Sequence, residues 1–194
     1  MKLEVHPVTK ERWSDFQTVM GARGAYSGCW CMWWRVRSRK EFEGSAADRS
    51  VRMKRAMKRL VDGGVVPGVL AYVGGEPAAW CSIAPREDFA ALERSRTYAR
   101  IDDAPVWSVV CFYAATSFRG QGLMPLVLKA ASEYARDNGA RVVEGYPVEP
   151  EKRMAAVDVY MGTAKAFEQA GFREVARTAN GKPIMRKTMR ARRA

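Results

Sequence analysis

The sequence is poor in the residues that metal sites and many nucleophilic sites need. It has one histidine, His6, and four cysteines, at positions 29, 31, 81 and 111. Cys29 and Cys31 form a Cys-x-Cys pair, but no second pair of matching spacing follows, and the histidine is distant in the sequence. Because structural zinc sites commonly draw four ligands from such pairs, no metal site is expected. The cysteines are expected to be reduced thiols.

The chain also lacks a long apolar run, an internal repeat, a low-complexity tract and an interdomain linker. No segment approaches the roughly 20 apolar residues that a membrane span needs. Residues 1–5 lack the basic-then-apolar pattern of a signal peptide, so a cytoplasmic protein without membrane contact is expected. The length of 194 residues suits one well-filled domain, 1–194.

Acidic residues are outnumbered by basic ones, 21 against 33, which gives a net charge of +12. This charge favours anionic partners, such as phosphorylated cofactors, acidic substrates or nucleic acid. Many basic residues lie on a predicted helix from Ala46 to Asp62, in which Met53, Met57 and Leu60 recur at helical spacing. Its basic face is either solvated or a contact surface for an anionic substrate.

Periodicity and turn signals predict a mixed α/β (α+β) domain. The predicted strands are 2–8, 69–73, 78–83, 106–115, 141–146, 172–176 and 183–189, and the predicted helices are 10–20, 46–62, 123–137 and 163–171. Thr9 is expected to cap the first helix. Hairpin turns are predicted at 74–77 and at 180–181. The order of elements predicts a mixed, mostly antiparallel central sheet flanked by helices.

The strongest functional signal is the stretch Phe118-Arg119-Gly120-Gln121-Gly122-Leu123-Met124, between an apolar strand and a helix. Glycines let the backbone bend and approach a ligand closely. The first N–H groups of a helix have no partners within it, so they point at whatever lies there. The stretch therefore predicts a cradle for an anion; the alternative is a tight connection without a ligand.

The segment Cys29–Trp34, here called the Trp-rich segment, contains three of the six tryptophans. Two interpretations remain open at this point. The segment is either a hydrophobic plug packed under the first helix or an aromatic wall of a substrate pocket, since such pockets are mostly apolar and aromatic.

Glu144 and Tyr146 alternate along a predicted strand, so their side chains share a face. A carboxylate in a mostly apolar strand is expected to have a raised pKa, which makes Glu144 the candidate general base and Tyr146 its catalytic neighbour. The alternatives are an exposed Glu144 paired with an arginine and a Tyr146 that only packs. Cys111, with no histidine nearby in the sequence, is expected to be a small core residue.

Two motifs in this order resemble the GNAT superfamily of N-acetyltransferases. The first family motif is Arg or Gln, two residues, Gly, one residue, then Gly or Ala; it matches Arg119–Met124, with Met124 replacing the last small residue. The second is an aromatic followed four and five residues later by Gly and Phe, as in Phe167–Phe172. The resemblance covers about 69–189, the expected acyl-CoA-binding core, and residues 1–68 are expected to shape the acceptor side.

The resemblance implies acetyl-CoA as acyl donor, with its pyrophosphate against the backbone of Arg119, Gly120, Gln121, Gly122, Leu123 and Met124. It also implies that a backbone N–H at Tyr113 or Ala114 polarises the thioester carbonyl. The position of the family's proton-donating tyrosine is Phe167, and that of an asparagine contacting the pantetheine arm is Tyr160. The leaving thiolate would then take its proton from water or from a relocated hydroxyl.

The expected function is that of an acetyl-CoA-dependent N-acetyltransferase that transfers the acetyl group directly to a primary amine of a small molecule, as a monomer or homodimer. One alternative is acetylation of a nucleic-acid-linked amine such as a charged tRNA, which the basic helix suggests. The other is a catalytically inactive acyl-CoA-binding module, which Phe167 suggests.

Overall fold

Seven strands form one open sheet at the centre of the molecule, in the order β1-β2-β3-β4-β5-β7-β6. The computed structural model describes residues 2–150, 155 and 158–190. The strands are β1 Leu3–Pro7, β2 Val69–Val73, β3 Glu76–Pro85, β4 Trp107–Ala114, β5 Val142–Gly145, β6 Arg173–Arg177 and β7 Pro183–Thr188. β4 and β5 pair in parallel and the other neighbours pair antiparallel, which confirms the predicted mixed, mostly antiparallel sheet.

The helices are α1 Trp13–Met20, α2 Ala46–Asp62, α3 Ala90–Glu93, α4 Leu123–Asp137 and α5 Ala164–Gln169. Ser45 and Thr163 cap α2 and α5 through their side chains. The predicted cap at Thr9 is wrong, because a 3-10 turn separates it from α1 and its side chain accepts no capping hydrogen bond. No helix among the described residues is long and apolar enough to cross a membrane.

Helices cover both faces of the sheet, and each face has its own core. On one face, Val127 and Leu128 of α4 and Phe167 of α5 belong to a cluster with buried residues of the central strands. On the other face, Phe16 of α1 and Met57 of α2 belong to a second cluster. The central strands are therefore covered from both sides, as in a three-layer α/β domain.

β4 and β5 separate near the middle of the sheet. They pair over three positions only, ending at Val109 and Gly145, whereas β4 continues to Ala114. The register with β3 shifts by one residue at this point, which makes Val110 a β-bulge. Past the bulge, the Phe112 N–H donates to the carbonyl of Tyr160 at 2.5 Å. The backbone around Tyr160 thus lies in the gap that the two strands leave.

Candidate active site

The predicted anion cradle lies at the N-terminus of α4, beside the end of β4. Gly120 and Gly122 have φ angles of 75° and 69°, in the left-handed region that favours glycine. A Cβ built at either residue would meet no atom within 4 Å, so both face open space. Among the backbone hydrogen bonds of the described residues, none is donated by the N–H groups of residues 120 to 124. The stretch thus presents unpaired donors to solvent.

The side chains of the cradle fold back on their own loop. Arg119 Nε donates to the carbonyl of Ala114 at 3.0 Å, and its guanidinium lies over the Tyr113 ring, 5.3 Å from the centroid. Gln121 Nε2 donates to the carbonyl of Ser117 at 2.9 Å. Buried Leu123 anchors the helix start, so the backbone amides are held in place with the positive end of α4 behind them. This arrangement fits a diphosphate.

The end of β4 offers one backbone donor toward the gap. Backbone N–H groups alternate in direction along a strand, and the Phe112 N–H points into the gap whereas the Ala115 N–H pairs with Ala78 of β3. The alternation therefore directs the N–H of Ala114 into the gap and that of Tyr113 toward β3. Of the two residues implied by the resemblance, Ala114 has the suitable orientation.

Glu144 does not have the surroundings expected of a general base. It is 2% exposed and lies between two arginines: Oε1 is 3.1 Å from an Nη of Arg86 and Oε2 is 2.7 Å from Nε of Arg186. The expected apolar surroundings are not observed. The alternative, an exposed glutamate paired with an arginine, is correct about the partner and wrong about the exposure. Both oxygens already accept charge-assisted hydrogen bonds, so the carboxylate is engaged within the protein and is closed off from a substrate amine.

Tyr146 is fully buried in the same network. Its hydroxyl donates to Glu144 at 2.6 Å, accepts from Arg86 at 2.7 Å and lies 3.0 Å from Ser108 Oγ. Burial, followed by the charge of Glu144, raises the pKa of Tyr146. The structure thus brings Glu144 and Tyr146 together, as their alternation predicted, but places them in a closed polar cluster.

Phe167 lies in the core rather than on the surface of a cofactor site. It is fully buried, and its ring fills the space beside two glycines: Cβ atoms built at Gly145 and Gly162 would lie 2.1 Å and 2.6 Å from it. Phe167 therefore cannot make the predicted contact with the cofactor directly and can act only through its neighbours. These are Gly162 and Met124, whose Sδ lies 3.4 Å from the Cβ built at Gly162.

Tyr160 lies in the gap beside β4, and its side chain is half-buried against a third hydrophobic cluster that includes Trp34 and Tyr98. Burial, followed by the neighbouring Tyr98 and Cys111, raises the pKa of Tyr160. Its hydroxyl carries a proton at neutral pH, as an unperturbed tyrosine hydroxyl also does. Among the tyrosines singled out from the sequence, Tyr160 combines this protonated state with a place at the separation of β4 and β5.

Sequence reasoning missed Arg86, the centre of the buried polar network. Arg86 is 1% exposed and contacts Glu93, Glu144, Tyr146 and the carbonyl of Tyr98. The only signal in the sequence is a single arginine after a strand, which is indistinguishable from a surface residue. Its partners lie up to 60 residues away, so only the fold assigns them.

The Trp-rich segment is mostly packed. Trp30 is 3% exposed and contacts Phe16 of α1, with ring centroids 6.1 Å apart, which confirms a plug under the first helix. Trp33 is half-buried and carries the Arg39 guanidinium 3.7 Å from its centroid. No group of three or more His, Cys, Asp or Glu side chains among the described residues could hold a metal ion.

Comparisons with known proteins agree with this geometry. A family model described as Acetyltransferase (GNAT) family matches residues 26–162. Among solved structures, the PaiA N-acetyltransferase of Thermoplasma acidophilum in complex with coenzyme A is 12% identical, with a TM-score of 0.51 and coverage of 97% of this chain and 100% of that one. No curated protein sequence matches this chain.

Two further structures have the same fold. The aminoglycoside acetyltransferase AAC(6')-Ib in complex with coenzyme A and kanamycin is 17% identical, with a TM-score of 0.53 and coverage of 96% and 95%. A GNAT-family acetyltransferase from Streptococcus agalactiae is 10% identical, with a TM-score of 0.52 and coverage of 97% and 96%. Because the family model spans more than half of the sequence, the chain belongs to the GNAT family of acetyltransferases.

Proposed function

We propose that the protein transfers the acetyl group of acetyl-CoA directly to a primary amine of a small molecule. The observation that carries the proposal is the row of unpaired N–H groups at residues 120 to 124, with open space over Gly120 and Gly122. Such donors at a helix N-terminus suit the diphosphate of coenzyme A. Family membership and the coenzyme A bound in similar structures support this choice among anions.

In this proposal the backbone of Arg119 to Met124 holds the diphosphate. Acetyl-CoA, when bound, supplies an activated acetyl group as a thioester. The Ala114 N–H donates to the oxygen on which negative charge develops during attack by the amine, a contribution of about 3–4 kcal/mol by comparison with single-donor deletions in other enzymes. Two proton transfers remain: the attacking nitrogen loses a proton, which bulk water accepts, and the leaving thiolate gains one.

Tyr160 is the proposed proton donor. It would take the role of the family's proton-donating tyrosine, whose position in this chain is occupied by Phe167. The Tyr160 hydroxyl carries a proton at neutral pH, as a tyrosine hydroxyl ordinarily does, and its backbone already lies beside β4 in the gap. Tyr160→Phe is expected to lower kcat by about 100-fold, as general acid catalysis is typically worth that much, with little change in acetyl-CoA affinity. Tyr26→Phe, at a tyrosine that is 63% exposed, is the matched control. Equal kcat values in the two variants would exclude this role.

The acceptor is proposed to be a small amine, a class that includes the kanamycin bound by a similar acetyltransferase. The test is a panel of primary amines, including aminoglycosides, polyamines and amino acid esters, with release of coenzyme A as the readout and mass spectrometry of the product. Acetylated amine supports the proposal. Tight acetyl-CoA binding without turnover on any amine would favour the inactive binding module instead.

The cradle is tested by Gly122→Trp, which places a large side chain over the unpaired N–H groups. Acetyl-CoA affinity is expected to fall by at least about 100-fold, equivalent to the loss of two charge-assisted hydrogen bonds. Gly181→Trp is the control, because Gly181 has a similar φ of 76° and open space around it but lies in the β6–β7 hairpin. If both variants bind acetyl-CoA as tightly as the parent protein, the cofactor placement is wrong.

Acetylation of a nucleic-acid-linked amine receives less support. Several basic side chains of α2 contact their own chain: Arg52 donates to the carbonyls of Glu41 and Glu43, Lys54 lies over Trp30, and Lys58 pairs with Asp62. The exposed Arg55 and Arg59 remain available on this helix. A tRNA affinity that falls steeply with salt and is lost in an Arg55→Glu, Arg59→Glu double variant would reverse this preference.

A further inference from the structure

Three cysteine thiols meet where the Trp-rich segment crosses β4. Sγ of Cys31 lies 3.1 Å from Sγ of Cys111, although 80 residues separate them in the sequence. Cys29 lies two residues before Cys31, and all are free thiols. Sulfur atoms this close need only a small movement to form a bond, since a disulfide joins them at about 2.05 Å.

The backbone conformation that places Cys31 beside Cys111 is unfavourable in conformational free energy. Among the described residues, non-glycine residues with positive φ are confined to one short stretch: Ala25, Ser27, Trp30 and Cys31. Such conformations persist only where the surroundings impose them, and they cluster at functional sites. Here Trp30 is fixed by packing on Phe16 and by its Nε1 donating to Ser50 at 2.8 Å. The contact between Cys31 and Cys111 is therefore built into the fold of the segment.

The three thiols differ in reactivity. Cys31 is buried, and burial raises its pKa well above the ordinary value. Cys29 is half-buried, and its hydrogen bond with Cys31 outweighs partial burial and lowers its pKa to about 7. A thiol of this kind is substantially ionised at neutral pH, and the thiolate is the nucleophilic form. Cys29 is thus the accessible, reactive member beside a closely spaced pair.

We propose that Cys29, Cys31 and Cys111 form a hydroperoxide-reactive site whose stable oxidised product is a Cys31–Cys111 disulfide. The Cys29 sulfur attacks the O–O bond, forming an S–O bond and releasing an alcohol, or water when the oxidant is hydrogen peroxide. The Cys31 sulfur, losing its proton to the departing hydroxyl, forms an S–S bond with Cys29 as the S–O bond breaks, and water is released. Cys111 then attacks the Cys31 sulfur, and its proton restores the Cys29 thiol. In sum, two thiols and one hydroperoxide give one disulfide, one alcohol and one water.

The Cys31–Cys111 disulfide would link the Trp-rich segment covalently to β4. The link would lie next to the bulge at Val110 and next to Phe112, whose N–H donates to the carbonyl of Tyr160. A cross-link closing a loop of 80 residues restricts the unfolded chain strongly. The oxidised protein is expected to unfold about 10 °C higher than the reduced protein. This inference does not depend on the acetyltransferase proposal, because its measurements need no acetyl donor or amine.

The experiment uses the reduced full-length protein treated with hydrogen peroxide. Total thiols are counted in denaturant, and the count is expected to fall from four to two and return to four with dithiothreitol. Trypsin cleaves after Arg23, Arg35, Arg100 and Arg119, so the disulfide would join peptides 24–35 and 101–119. Four persisting thiols, or a disulfide confined to peptide 24–35, would overturn the proposal.

Variants assign the members of the site. Cys31→Ser and, separately, Cys111→Ala are expected to abolish the joined peptides, whereas Cys81→Ala, at the fourth cysteine, is expected to retain them. Cys29→Ser is expected to retain the product but to slow its formation at least about 10-fold, because the reactive thiolate is lost. An unchanged rate in Cys29→Ser would contradict the relay. Circular dichroism of each variant establishes that it is folded, so a lost cross-link is not a folding defect.

Discussion

Phe167 shows how one residue determines what chemistry a fold can support. Its ring carbon Cζ lies 2.6 Å from a Cβ built at Gly145, so the ring tip is pressed against β5. The ring is fully buried, with Gly145 beside one edge and Gly162 beside the other, so an added hydroxyl would enter a packed core. The proton donor implied by the resemblance is absent in the sequence, and the core is packed around the residue that replaces it.

Phe167→Tyr is therefore expected to lower stability by about 1–3 kcal/mol, the usual cost of overpacking a core, and to leave kcat no higher. Urea unfolding and steady-state kinetics measure the two effects. Phe118→Tyr adds the same hydroxyl at a half-buried position and is expected to be nearly neutral. A faster enzyme of unchanged stability would show that the core can accommodate a tyrosine acid at 167.

At the scale of elements, Glu144 links β5 to neighbouring elements through ion pairs. It pairs with Arg86, at the end of β3, and with Arg186 of β7, which in turn pairs with Asp102 in the β3–β4 connection. A connection with little regular structure is thereby held against the sheet. Arg186 lies opposite Glu144 in the β5–β7 ladder, whereas Arg86 follows β3, which β4 separates from β5. Through Arg86 the carboxylate thus joins β5 to an element that the ladder does not join to it directly.

Glu144→Gln separates this structural role from the base role predicted from the sequence. The two arginines that pair with Glu144 keep other anionic partners, Glu93 and Asp102. The loss of the buried carboxylate is therefore expected to cost about 1–3 kcal/mol of unfolding free energy, the usual range for a buried hydrogen-bonding group that loses a charged partner. Glu149→Gln, whose partner Arg177 is exposed, is expected to cost less than about 1 kcal/mol. A strong fall in kcat without a change in stability would restore Glu144 as the base.

For the whole molecule, the ion pairs predict the response to acid. Burial opposes ionisation of Glu93, but hydrogen bonds from Arg100 and Arg86 outweigh it and lower its pKa from 4.5. A hydrogen bond from Arg186 likewise lowers the pKa of Asp102 from 3.8. Folding thus favours the ionised carboxylates, and their contribution is present above the unfolded-state pKa values and is lost as pH falls through the lower folded-state values.

The midpoint of thermal unfolding is therefore expected to fall between about pH 5 and pH 3. The fall should be smaller in Glu93→Gln, which has no carboxylate to titrate at this position. Differential scanning calorimetry at several pH values measures both curves. Parallel curves for the two proteins would show that Glu93 contributes nothing to the pH dependence.

Local sequence patterns were sufficient to predict the main elements and the glycine turn before α4. Helix α2, the hairpin turns and the glycine stretch before α4 follow from periodicity, capping and backbone freedom, all of which depend on residues close in the chain. The conformational freedom of Gly120 and Gly122 belongs to the residues themselves, so no distant contact was needed to predict the turn. The resemblance then identified the family, which the family model confirms.

Which side chains are available for chemistry depends instead on contacts between residues far apart in the chain. Glu144 and Tyr146 alternate on a strand as predicted, but Arg86 lies 58 residues from Glu144 in the chain and Arg186 lies 42 residues away. Likewise Cys31 and Cys111 meet across 80 residues. Local patterns contain no information on such contacts, because burial and charge pairing depend on which elements the sheet order brings together.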